Sequence, residues 1–164
     1  MKNKKLNLTY IVFGIYLVYL CWVILLKLGT SFDSIPHLRN INLIPFRGSV
    51  TTSRWGIREL AYNVLAFLPF GLYISIIKNK WSFFKKVLVA FLLSLSFEII
   101  QYVFAIGASD ITDIMNNTFG AIIGILVYAI LNKIFKSKEI IVLNILGLIA
   151  EILFTGLVLL ITVF

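Results

Sequence analysis

Three short stretches hold the ionisable and amide side chains that could do chemistry. Arg58 and Glu59 open the first, and Asn63 stands four residues after Glu59, on one helical face with Ala66 and Phe70. Ser94, Glu98 and Gln101 follow at i, i+4 and i+7, again one face. Asp110, Asp113, Asn116 and Asn117 open the third, where Asp113, Asn117, Gly120 and Gly124 form a stripe. All three stretches are embedded in apolar sequence. An ionised group at the centre of a membrane helix costs about 2.5–3.5 kcal/mol on insertion scales, so such residues mark sites or buried pairs. Glu98, Asp110 and Asp113 are the carboxylates that could offer hard oxygen ligands to a divalent cation. Arg47, Arg54 and Arg58 offer planar forks suited to carboxylate and phosphate. Other chemistries are excluded. The single histidine, His37, rules out any two-histidine site within one chain. The single cysteine, Cys21, rules out an internal disulfide or a cysteine-pair metal site. There is no glycine-rich phosphate loop and no Gly-x-Ser-x-Gly.

The elements that must position these residues are membrane helices. The chain of 164 residues is 60% apolar and only 13% charged, with a mean hydropathy of +1.00. Soluble domains run at about 45–50% apolar and 25% charged, so lipid must serve as solvent here. The length suits about five helices of some 20 residues each. Apolar runs place them at 8–26, 57–77, 83–106, 111–131 and 140–163, in one domain spanning 1–164 without internal repeats. The fold class expected is all-α and polytopic. The first run is too long for a signal-peptide core and has no small-x-small site after it, so it reads as an anchor. Pro69 and Gly71 inside the second helix are tolerated in membranes. A polar connection of about 30 residues joins helices 1 and 2, and long loops of this kind are often functional. It holds the apolar phrase Leu43-Ile44-Pro45-Phe46. A short break at 107–110 separates helices 3 and 4.

The net charge of +8 sets topology rather than marking a nucleic-acid surface. Lysine clusters precede helix 1 and separate helices 2 and 3 and helices 4 and 5. An alternating path puts all three on the cytoplasmic side, with the N-terminus inside and the C-terminus outside. Arg39, Arg47, Arg54 and Arg58 then lie in the outer loop or at the outer mouth of helix 2. Arg58, Glu59, Asn63, Glu98, Gln101, Asp110, Asp113 and Asn117 all fall in the outer half of the membrane. Two readings stay open. The group forms a ligand site beneath an arginine-bearing loop, or it is a structural network. In the second reading Asn63 and Gln101 are interhelical hydrogen-bond partners and Arg58 pairs with Glu98. Asp110 or Ser109 then simply caps helix 4. Gly120 and Gly124 read as a packing pair. Glu151, with Asn144 and Thr155 on its face, has no assigned role.

The residues so far named resemble the VanZ family. The likeness is carried by Asn42-Leu43-Ile44-Pro45-Phe46, by Arg58-Glu59 with Asn63, and by Phe67-Leu68-Pro69-Phe70-Gly71-Leu72. Phe97-Glu98-Ile99-Ile100-Gln101 and Ala105-Ile106-Gly107-Ala108 add to it. So do Ser109-Asp110-Ile111-Thr112-Asp113, Asn117-Thr118-x-Gly120 and Gly124. It runs from helix 1 to the end of helix 4. This chain departs at Ala108, where many members have an arginine, and Glu151 has no counterpart. The resemblance implies an accessory factor in a bacterial plasma membrane that gives low-level resistance to the glycopeptide teicoplanin. It implies no cofactor and no established reaction. The function favoured is binding or shielding at the outer leaflet, with membrane lipids, teicoplanin or a lipid-linked cell-wall precursor as partners. The alternatives are a metal-dependent enzyme acting on such a precursor, with Glu98, Asp110 and Asp113 as ligands, and a small transporter or flippase. Five helices without an inverted repeat are few for a carrier, which would then need to oligomerise.

Overall fold

A computed structural model describes residues 2–26, 38–46, 54–135 and 139–163, with side chains described for 6–25, 39–46, 60–135 and 140–153. The hydropathy of the chain dictates most of what is seen. Helices run at α1 (Lys2–Leu26), α2 (Arg54–Ile77), α3 (Phe83–Phe104), α4 (Ile111–Phe135) and α5 (Glu139–Val163). Among the described residues, four stretches are long and apolar enough to cross a membrane: Leu6–Leu25, Leu60–Ile77, Phe83–Phe104 and Ile111–Phe135. Within α5 the described apolar stretch is Ile140–Leu153. The protein is thus an all-α membrane protein, with one small addition that hydropathy does not reveal.

That addition is a pair of strands, β1 (Leu38–Asn42) and β2 (Ile106–Asp110). They pair in parallel from Leu38 opposite Ile106 to Asn42 opposite Asp110. The sequence predicts an irregular loop and a simple break at these places, with α3 reaching 106. Instead α3 ends at Phe104, because Ala105 turns left-handed at φ 54 and caps the helix onto the carbonyls of Gln101 and Tyr102. The physical reason is that backbone groups beside lipid need partners. A five-residue break cannot satisfy its own N–H and C=O groups, and a distant segment supplies the missing ladder.

The helix starts and seams follow from local chemistry. Ser82 caps α3, its Oγ accepting the Lys85 N–H at 3.3 Å. In the preceding turn, Trp81 lies beneath the Lys78 and Lys85 ammonium groups, at 5.4 and 4.5 Å from its ring centre. Such aromatic and basic pairs suit a membrane–water interface. At the centre, α2 and α4 touch backbone to backbone. A Cβ on Gly71 would overlap the Ala121 carbonyl, one on Gly120 the Val64 carbonyl, and one on Gly124 the Leu68 carbonyl. Around this seam Leu20, Ile24, Phe67, Phe70, Ala90 and Phe97 form one buried cluster. Val12, Tyr73, Ile76 and Leu143 form another that ties in α5. Asn144 Nδ2 adds a buried bond to Thr9 Oγ1 at 3.0 Å between α5 and α1.

Candidate functional site

The strand ribbon sits where α3 ends and α4 begins, and side chains from both helices hold it. Ser109 Oγ donates to the Glu98 carbonyl at 2.7 Å. The Asp110 N–H donates to Glu98 Oε2 at 2.9 Å. Glu98 is thereby buried to 4% exposure while its carboxylate receives a backbone donor. Asp110 is the residue before α4, and its Oδ1 accepts the Thr112 N–H at 2.7 Å, an N-cap bond. Its Oδ2 accepts Asn42 Nδ2 at 2.9 Å, which ties the end of β1 to the start of α4. The turn that follows β1 is pinned in the same way. The Ile44 N–H donates to Asn42 Oδ1 at 3.2 Å, and the Phe46 N–H donates to Thr112 Oγ1 at 3.0 Å. Arg39 Nη2 reaches the Val103 carbonyl at 3.3 Å, a cation at the C-terminus of α3.

Beneath this roof lies a cavity of about 940 Å³ between α3 and α4. Its α3 wall is Phe91, Leu95, Ile99 and Tyr102, and its α4 wall is Ile114, Met115, Phe119 and Ile122. At 1.5 Å per residue, the named α3 wall spans about 16 Å and the named α4 wall about 12 Å. Leu43 and Phe46 of the turn close it from above. Most of the polar groups stand at that same end, Asn42, Glu98, Ser109 and Asp110, with Thr118 further down α4. Asn116 lines the cavity about 9 Å further along α4, by the helical rise. Its Nδ2 is buried without a hydrogen-bond partner.

Other candidates from the sequence take up positions between helices. Asn63 Nδ2 donates to Asp113 Oδ1 at 2.6 Å, joining α2 to α4. Asn117 Nδ2 donates to Ser94 Oγ at 2.9 Å, joining α4 to α3. Gln101 Nε2 donates to the Ile24 carbonyl at 2.9 Å, joining α3 to α1. Arg54, Arg58 and Glu59 stand in the first turns of α2, but their side chains, and all of Arg47, lie outside the described residues. The Arg58–Glu98 pairing lies outside them too. Among the described residues no three His, Cys, Asp or Glu side chains gather as a metal group. Glu98, Asp110 and Asp113 are instead directed at different partners. Glu151 lines a smaller cavity of about 250 Å³ with Tyr16, Tyr73 and Gly147.

Sequence reasoning named Asn116 in the third stretch without making it a binding candidate, and did not single out Asn42 or the apolar walls. Asn42 was visible only as part of a phrase, since its partner Asp110 is 68 residues away. The walls carry no signal, because a face of Phe, Leu and Ile looks the same whether it meets lipid or lines a hollow.

The matches to known proteins cover this same region. A protein-family model described as VanZ/LLP1 matches residues 13–132, which includes α1 to α4 within those limits and both strands. Protein VanZ of Enterococcus faecium is 40% identical over 129 residues, 77% of either chain. No solved structure matches. A family match of this extent, with a relative this similar over most of both chains, shows that the chain belongs to the VanZ/LLP1 family of multi-pass proteins of the cell membrane.

Proposed function

We propose that this protein gives low-level resistance to teicoplanin by holding an amphiphile, chain first, in the groove between α3 and α4. Family membership supports the biological setting, because the VanZ resemblance implies teicoplanin resistance. The observation that carries the mode of action is the groove. It is walled largely by apolar side chains, is large enough for a drug-sized guest, and carries its two carboxylates toward one end. An acyl chain fits the walls, and a polar head fits the end beneath the turn. In this reading the ribbon end faces outward, since Lys78, Lys80 and Lys85 lie exposed at the turn joining α2 and α3, at the opposite end. The N-terminus is then inside, and teicoplanin, which carries an acyl chain, meets the groove from the outer leaflet. Glu98 and Asp110 face the guest. Asn63, Gln101, Asp113 and Asn117 hold the helices that form the walls. A metal-dependent reaction has less support, because Glu98, Asp110 and Asp113 do not gather as a metal-binding group among the described residues.

The test is drug susceptibility in cells making wild-type protein or Leu95→Trp at matched membrane levels, with vancomycin as the comparison drug. The expected outcome is that Leu95→Trp, which obstructs the groove partway along its α3 wall, removes teicoplanin protection while the protein still accumulates and unfolds at the wild-type temperature. Full protection from a folded Leu95→Trp protein overturns the proposal.

A further inference from the structure

We infer that the turn joining α2 and α3 binds the head of an anionic phospholipid, in the leaflet opposite the ribbon. The inference does not depend on the groove, whose carboxylates stand toward the other end of α3. Four lysines, Lys78, Lys80, Lys85 and Lys86, fall in this short stretch, and no Asp or Glu occurs between Glu59 and Glu98. Such a run also sets topology. Topology, however, needs only the charges, and here their arrangement is specific.

Lys78 follows the end of α2 and Lys85 lies in the first turn of α3, yet both ammonium groups stand at the ring of Trp81, 5.4 and 4.5 Å from its centre. Trp81 itself packs against the buried cluster around Phe67 and Phe97, which fixes the platform. The ring attracts each cation but carries no net charge. Two like charges are thus gathered at one ring, with no carboxylate paired to either among the described residues. Each ammonium keeps N–H donors for an anion. A phosphodiester between them would relieve their repulsion.

Lys86 is an independent sign of a guest. It is only 7% exposed, on the face that buries Ala90 and Ser94. Its side chain has no carboxylate partner among the described residues, whereas lysine is almost never buried unless paired. Helix side chains lean toward the N-terminus, so Lys86 leans toward the turn. There a long stem can bring its ammonium group to the surface. The positive end of the α3 dipole opens at the same place, after the Ser82 cap. Beside it Phe83 and Phe84 meet edge to face and are exposed, Phe84 to 81%. Exposed rings next to cations suit the boundary between headgroups and acyl chains. A lipid answers both features, its phosphate at the lysines and its chains at the rings. A free phosphate answers only the first.

The test is native mass spectrometry of purified full-length protein in neutral detergent, with phosphatidylglycerol or phosphatidylcholine carrying identical oleoyl chains. The expected result is a preference for phosphatidylglycerol of at least about fivefold, the effect of roughly one lysine at an anionic surface. Lys78→Gln combined with Lys85→Gln should bring the preference to about twofold or less, and Lys86→Met should lower it by at least about twofold. Lys86→Met keeps the buried stem, so it should unfold at or above the wild-type temperature, which separates lost binding from lost folding. Lys133→Gln removes the same charge from an exposed position near the end of α4 and should keep the wild-type preference. Equal binding of the two lipids by the wild-type protein overturns the site. So does full preference in the double variant or in Lys86→Met, or a loss from Lys133→Gln as large as theirs. Displacement of phosphatidylglycerol by inorganic phosphate at equal concentration also overturns it, because the anion alone would then be the guest.

Discussion

Helix α4 has two faces that behave in opposite ways. Toward α2 it presents Gly120, Ala121 and Gly124, and the two backbones meet with no room for one more carbon. Toward the groove it presents Met115, Phe119 and Ile122, and here a cavity of about 940 Å³ separates it from α3. In lipid, apolar side chains gain little by leaving one hydrocarbon surface for another, so close approach depends on small residues and on hydrogen bonds. The glycine face closes for that reason. The bulky face stays open, and beside it α4 is joined to α3 where Asn117 reaches Ser94.

The strongest way to break this comparison is to make the closed face resemble the open one. Gly124→Leu would drive a side chain into the Leu68 carbonyl, which cannot rotate aside as a side chain can. Overpacking usually costs about 1–3 kcal/mol, and with backbone as the obstacle the cost should reach or pass the top of that range. The expected result is little folded protein on size exclusion and a lowered unfolding temperature in detergent. A Gly124→Leu protein as stable as wild type would mean that the seam is not closed by small residues. Phe119→Leu on the open face serves as the control and should unfold near the wild-type temperature.

A smaller effect is expected at the polar end of the groove, where Asp110 both caps α4 and ties down β1. Asp110→Ala loses the cap bond to Thr112 and the bond from Asn42, so a cost of about 1–2 kcal/mol is expected. Asp110→Asn keeps a good capping oxygen and should cost a few tenths at most. Thermal unfolding of the two variants checks this. Equal losses would show that the charge, rather than the cap, holds the ribbon.

These two faces were unequally legible in the sequence. The helices could be read because an apolar run of membrane-crossing length is rarely anything but a membrane helix. The spacing of Gly120 and Gly124 suggested a packing face, although their partners Val64 and Leu68 look like any apolar residues. The ribbon was hidden. Its strands are five residues each, have no clear alternation, and are separated by α2 and α3, so neither half shows what it pairs with. Without that pairing, the contact of Asn42 with Asp110 and the roof over the groove could not be inferred. The polar residues were legible as a group at one depth. Which of them face a hollow and which staple helices depends on rotations about the helix axes that only the packed structure shows.

The smallest expected effect tests whether the closed face is held by packing or by its polar staple. Asn63 and Asp113 share a 2.6 Å bond across the α2–α4 seam, near the end where the ribbon sits. Hydrogen bonds between membrane helices are worth about 0.6 kcal/mol on average and about 1.7 at most, because the separated helices find other partners. Asn63→Ala should therefore lower stability by about that amount, well below Gly124→Leu. A loss as large as that of Gly124→Leu would make the hydrogen bond, and not the glycine contacts, the closure of the seam.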